Sequence, residues 1–501
     1  MPEKKIGLFF GAGAEIAYGL PSGGRFALDI FRMDSSQDKS DFKALIKTVD
    51  NRSPYAAKWL PEDYDGKSVT TFGKAQYEQL IISSLENKRQ QIIDFLNSFD
   101  EKAEKVRESF VNQGVEIDSS FKQVTGKDIG EVLFQQAVTL NKALGKSQIT
   151  LFGSKYFSAI LQVLESKAGT RASWLSDLKN IVRSFIELLI GAVGEDFLHR
   201  INDSIFEKKP DSIDIFDDFC GYFKFDYKKI SGLDYILDGR AQELKSGMPP
   251  ENAIVEFSRR LLEEIFVVAL DYQSLIDSYY RYLFTPRTDW AKFCKISIFL
   301  MTVRRYITEN IDESRAKVVG GTGYYQDINQ RPEDVDLLAI GSTNYNTFIN
   351  EASGFNASFL NGSVDDFYDP YRNKILSEQE AKDSGHICLP FLFTQSGIKP
   401  MTSVSMSRRY VELFDNFSKC DVIGVVGFGF NSDDGHINGL FRELIEDKQK
   451  KVVLFHYSGG AEVDYETQLR IPPNSTLVVE KVDSARQAYD KLWIEKLLEY
   501  I

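Results

Sequence analysis

The chain has 501 residues, of which 43% are hydrophobic and 27% charged, a composition that excludes disordered and collagen-like polymers and predicts two or three globular domains at roughly 150 residues each. Lys and Arg number 60 against 73 Asp and Glu, a net charge of −13, so no bulk positive field favours nucleic acid or an anionic membrane. No apolar run approaches the roughly 18 residues of a membrane span, the opening MPEKKIGLFFGAGAE carries no signal-peptide pattern, and Cys220, Cys294, Cys388 and Cys420 form no CxxC pair; the expectation is a cytoplasmic, reduced protein with buried thiols and no metal.

Ile6 to Phe10 is a short apolar run ending in Gly11-Ala12-Gly13, which predicts a buried strand entering a tight turn. Leu20-Pro21-Ser22-Gly23-Gly24 is a second loop, and Arg25 to Phe31 has helical spacing. From about Gln79 to about Asp312 the pattern is helical: Ile92, Phe95, Leu96, Phe99, Ala103, Val106 and Phe110 recur at steps of three and four, as do Trp174 to Leu188 and Phe257 to Tyr279. Apolar strands return at Val335–Ile340, Asp421–Val426, Lys451–Phe455 and Thr476–Val479. A helix is predicted around Ile437–Ile445, and another over Ala485–Tyr500.

Strands alternating with helices predict a parallel sheet covered on both faces. One strand, loop and helix cannot form a core alone. The expected fold is therefore a doubly wound, Rossmann-like α/β domain built from residues 1–75 and 331–501, interrupted by a large all-helical insertion over 76–330. Three glycine- or asparagine-bearing loops follow three strands: Gly11-Ala12-Gly13, Gly341-Ser342-Thr343-Asn344-Tyr345-Asn346, and Gly427-Phe428-Gly429-Phe430-Asn431. In parallel α/β sheets ligands bind beyond the carboxyl ends of strands. A carboxamide there serves a ribose hydroxyl or an attacking water, or caps the next helix, a role open to Asn346.

These motifs resemble the sirtuin-like superfamily, in particular the NAD-consuming enzymes of bacterial antiphage defence. Gly11-Ala12-Gly13-Ala14 resembles the family's GAG opening, and Gly19-Leu20-Pro21 the Gly-aliphatic-Pro that follows. Thr343-Asn344-Tyr345-Asn346 resembles the motif carrying the catalytic Asn, and Val425 to Phe430 the late strand and glycine loop at the adenosine ribose. The resemblance covers roughly half the chain and does not extend to the helical segment. It implies NAD as the substrate, bound by Gly11, Ala12, Gly13, Pro21, Thr343, Gly427, Gly429 and Asn431, with Asn344 catalytic.

Two departures shape the expectation. The deacylase members carry a paired-CxxC zinc ribbon, absent here, which favours plain NAD cleavage and no metal. The family's His is expected in a Leu-His-Gly segment, where this chain reads Leu360-Asn361-Gly362. An amide cannot act as a base near neutral pH. Either Asn361 marks an impaired or altered catalytic position, or another group supplies the base, with His386 the best placed of His199, His386, His436 and His456.

The implied function is a regulated NAD+ glycohydrolase that depletes NAD during phage infection. A partner protein, of nucleotide-sensing or ATPase type, or assembly into an oligomer would gate it. The rivals are an NAD or ADP-ribose sensor and a structural subunit. The aromatic basic segments Tyr279-Tyr280-Arg281-Tyr282 and Arg304-Arg305-Tyr306 read as solvated or interface faces, and the acidic pairs Asp365-Asp366 and Asp433-Asp434 as turn formers or caps.

Overall fold

The computed structural model describes residues 4–20, 23–133, 150–193, 212–213, 225–226, 236–237, 242–270, 272–392, 403–431, 434–460, 462–473 and 475–501. Six strands form one all-parallel sheet: β1 (Lys4–Phe10), β2 (Val335–Ser342), β3 (Ala357–Phe359), β4 (Val422–Val426), β5 (Lys451–Tyr457) and β6 (Leu477–Val482), in the spatial order β3-β2-β1-β4-β5-β6. The order reverses between β1 and β4, the strand order of a Rossmann-like fold and the place where such sheets open a crevice. β1 thus pairs on one side with β2 (Phe10 opposite Ser342) and on the other with β4 (Phe10 opposite Val426).

The central strands β1, β4 and β5 are largely apolar on both faces because both faces are covered. Their side chains alternate. Phe9, Ile423, Val425 and Leu454 enter a core with Leu413 and Phe417 of the helix Val404–Phe417 and Phe441 and Leu444 of the helix Gly435–Glu446. On the opposite face Phe10 and Phe455 meet Trp493 edge-on at 6.0 and 5.6 Å, and the space over Gly424 is filled by Leu497. The Trp493 indole N–H donates to Asp327 (2.9 Å), a buried carboxylate also paired with Arg486.

The chain divides into two compact units. The α/β unit takes residues 1–26, 33–73 and 272–501. Residues 272–330, which helical periodicity grouped with the insertion, therefore lie with the sheet. The 30-residue helix Trp290–Val319 packs there against the strand Leu389–Leu392 and the helices Ser36–Thr48 and Phe348–Ser353. The second unit takes 27–32 and 74–271. Its long helices Lys155–Ser166, Ser173–Val193 and Pro250–Ala269 bury Phe157, Phe185 and Phe257 among Phe99, Phe110 and Phe121. Arg259 is buried between Glu256 and Glu263 on successive turns of one helix, with Arg32 also on Glu263.

Several expectations needed correction. The second unit is not wholly helical: Ser212–Ile213 pairs antiparallel with Phe225–Asp226. The Phe257–Tyr279 pattern is two helices, because Leu270 is extended at the end of the first (ψ 136°). The helix expected over 485–500 is confined to Trp493–Leu498. Before it, Gln487–Ala488 and Lys491–Leu492 form a hairpin across Tyr489-Asp490, both at positive φ (50° and 61°), the conformation of a primed hairpin turn. The edge strand β3 and a small antiparallel sheet of Gly362–Asp369, Lys374–Leu376 and Leu389–Leu392 gave no readable sequence pattern, their pairs being short and mixed in polarity. No helix among the described residues is long and apolar enough to cross a membrane.

Candidate functional site

The carboxyl ends of β1, β2 and β4 converge through backbone hydrogen bonds. Gly11 N donates to Val426 O (2.9 Å), Gly13 N to Gly427 O (2.9 Å) and Thr343 N to Phe10 O (3.1 Å). The glycines are explained by this contact. A Cβ on Gly11 would stand 2.6 Å from Gly427 O, and one on Gly427, itself at φ +67°, would stand 2.1 Å from Ala14 N. The backbone amides of Gly11 and Gly13, two residues expected to bind NAD, therefore serve loop-to-loop packing; Ala12 between them lines the cavity beyond.

That cavity, of about 320 Å³, belongs wholly to the α/β unit and is of a size usual for small-molecule sites. Of the expected site residues, Ala12, Thr343, Asn344, Asn361, Gly427, Gly429 and Asn431 line it. Gly11 and Gly13 do not line it, and Pro21 lies outside the described residues. The Asn431 loop is held from below by Asn438, whose amide donates to Phe430 O (3.0 Å) and Asn431 O (2.8 Å).

Asn344 is buried, and its amide nitrogen donates to Gly11 O (3.2 Å) and to the Tyr325 hydroxyl (3.0 Å). Both amide protons are thereby spent, leaving the carbonyl oxygen to offer a ligand. Asn361, placed where β3 hands over to the small sheet, is 4% exposed, and its Oδ1 has no hydrogen-bond partner. A buried acceptor without a partner costs about 1–3 kcal/mol, so this oxygen is suited to a donor that arrives with a ligand. Asn346 also lines the cavity; its Oδ1 accepts from Phe348 N (3.1 Å) at the start of the next helix, and its amide donates to Glu15 (2.7 Å).

His386 is not part of this cavity. Its Nδ1 is 2.6 Å from Asp369 Oδ2, and its ring is stacked on Tyr55 at 4.1 Å with Tyr371 edge-on. It is a buried histidine of the loop before Leu389–Leu392, with its Nδ1 committed to Asp369. Among the described lining residues there is no histidine at all.

Sequence reasoning passed over Glu15. It lies in the short 3-10 helix Ala12–Tyr18 that follows β1, lines the cavity, and is 5% exposed. The Tyr325 hydroxyl donates to its Oε1 (2.5 Å) and Asn346 to its Oε2 (2.7 Å). Burial pushes its carboxyl up to about 7, against the opposing pull of the Tyr325 and Asn346 hydrogen bonds. Burial, and then the neighbouring Glu15, hold the Tyr325 hydroxyl well above its ordinary range, so it remains a donor. An acid inside the apolar stretch IGLFFGAGAEIAYGL was the available signal. Tyr325 had none, since its segment has no periodic pattern.

An aromatic wall completes the cavity. Phe26 stacks near Tyr345 (6.4 Å, 24°) and meets Tyr306 edge-on at 5.2 Å, with Tyr272 at 6.2 Å; Asn310 lies one turn beyond Tyr306 on the same helix. Among the described residues no cluster of His, Cys, Asp or Glu is arranged to hold a metal ion.

The fold and site together define a mixed α/β protein with a six-stranded parallel, Rossmann-like sheet and a polar-and-aromatic cavity at its topological switch point. No protein-family model matches the chain, and no curated protein matches it.

Proposed function

We propose that the chain binds NAD+ and cleaves its nicotinamide–ribose bond, as a regulated NAD+ glycohydrolase. The observation that carries the reading is the convergence of Asn344 and Asn361 with the Gly427–Gly429 loop on one cavity at the β1/β4 switch point. The asparagine carbonyls are acceptors, matched to the hydroxyls of a ribose and the amide of a nicotinamide. The aromatic wall suits a flat heterocycle. Gly429 and Asn431 take the adenosine end.

Cleavage passes through an oxocarbenium-like state, as in other glycosyl transfers. Asn344, held by Gly11 O and Tyr325, orients the attacking water or a ribose hydroxyl. Unchecked NAD loss is lethal to a cell, so the reading includes a protein partner or assembly that gates turnover, in the setting of antiphage defence. The test is incubation of the purified chain with NAD+, with and without the product of the adjacent gene, followed by separation of nicotinamide and ADP-ribose. Absence of both products in every mixture refutes cleavage.

A second reading draws on the lack of a histidine among the described cavity residues: an NAD or ADP-ribose sensor using the same pocket. Saturable binding without nicotinamide release favours it.

A further inference from the structure

We infer that Glu15 is the proton acceptor of this site, a catalytic residue that takes the proton released by the attacking water. The inference rests on the cleavage reading above and supplies the base that reading lacks.

The asparagines cannot accept a proton near neutral pH, and His386 is engaged elsewhere. The carboxylates on the described cavity wall are Glu15 and Asp434. Glu15 is bonded into the asparagine cluster: Tyr325 bridges it to Asn344, accepting from the Asn344 amide (3.0 Å) and donating to Glu15 (2.5 Å), while Asn346 holds the other oxygen. The groups facing Glu15 are thus a hydroxyl and two carboxamides, all neutral, with the Tyr18 hydroxyl beyond Tyr325. Each carboxylate oxygen has two lone pairs. The bonds from Tyr325 and Asn346 occupy one on each, leaving capacity for a water. A buried carboxyl poised near 7 is suited to a base at neutral pH.

In the step, a water oxygen forms a bond to C1 of the nicotinamide-bearing ribose. The C1–N bond breaks and its electron pair stays on the pyridine nitrogen, which leaves as neutral nicotinamide. The proton of the attacking water passes to Glu15, which returns it to solvent. One NAD+ and one water give ADP-ribose, nicotinamide and one proton.

The experiment measures nicotinamide release from NAD+ by the full chain between pH 5.5 and 9, in whichever mixture turns over fastest, for the wild type and the Glu15→Gln, Tyr325→Phe and Asp434→Asn variants. In the wild type kcat should fall on the acid side of an inflection near 7. Glu15→Gln should lower kcat by about 10²- to 10⁴-fold and abolish that inflection, with NAD+ still bound. Tyr325→Phe keeps the carboxylate but removes a bond to its charged form, so the inflection should move to higher pH. That shift reads out Glu15 without altering it. Retention of the acid limb in folded Glu15→Gln, or its loss in Asp434→Asn instead, overturns the assignment while cleavage stands. A wild type that binds NAD+ and releases no nicotinamide in any mixture removes the cleavage reading and this role with it.

Discussion

Replacing Glu15 by Gln should make the α/β unit progressively more stable than the wild type as pH rises. The native carboxyl ionises at about 7, against 4.5 for an ordinary glutamate. Between those values the unfolded chain has released a proton that the native protein still holds, so native stability falls as pH rises through this window and levels off above 7. The full displacement is worth about 3 kcal/mol. About two fifths of it has been incurred by pH 5.5, leaving about 2 kcal/mol between pH 5.5 and 8.5. A neutral Gln has no such term. At roughly 2 °C per kcal/mol for a unit of this size, the variant's melting temperature should gain about 4 °C on the wild type over that range. Three of the four tryptophans, Trp59, Trp290 and Trp493, lie in the α/β unit and Trp174 in the second, so tryptophan fluorescence of a Trp174→Phe background on heating follows the relevant transition. Melting curves of the two proteins that run parallel in pH would show that Glu15 ionises normally, and the reasoning about its burial would be wrong.

Asn361→Leu should raise stability by about 1 kcal/mol, because an unpartnered buried oxygen is removed, while weakening NAD+ binding about tenfold in calorimetry. His386→Ala should lower stability by about 3 kcal/mol by removing the partner of the buried Asp369 Oδ2, while Oδ1 keeps the Tyr371 and Arg372 amides, and the folded fraction should keep its turnover; loss of turnover without loss of stability would return His386 to the site. Gly427→Ala should unfold the α/β unit or lower its melting temperature by several degrees, since the new Cβ meets backbone rather than a movable side chain.

What was legible in the sequence follows from local chemistry. Five of the six sheet strands appear as apolar runs near their observed bounds, and β1, β2 and β4 end in the Gly or Asn loops that build the cavity. A strand buried on both faces has to be apolar throughout, and a turn between close-packed loops has to be glycine, so both requirements are written in residue types. Asn344 and Asn361 were found in the same way, through motif order, and the fold brings them to one wall.

The rest depends on contacts between segments far apart in the chain. Whether Gly11 offers its amide to a ligand or to Val426 is decided by a strand more than four hundred residues later. Whether Asn344 presents an amide or a carbonyl is decided by Tyr325 and Gly11. His386 looks available in the sequence and is claimed by Asp369 and Tyr55. Glu15 looks like one acid among 73 Asp and Glu. Only the packing of β1, β2 and the Tyr325 segment removes it from water, and burial is what gives a carboxyl a proton affinity near neutrality. Residue type and spacing therefore determined where the loops fall, while the partners and the dielectric around each side chain, which set what it can do, were decided by the tertiary structure alone.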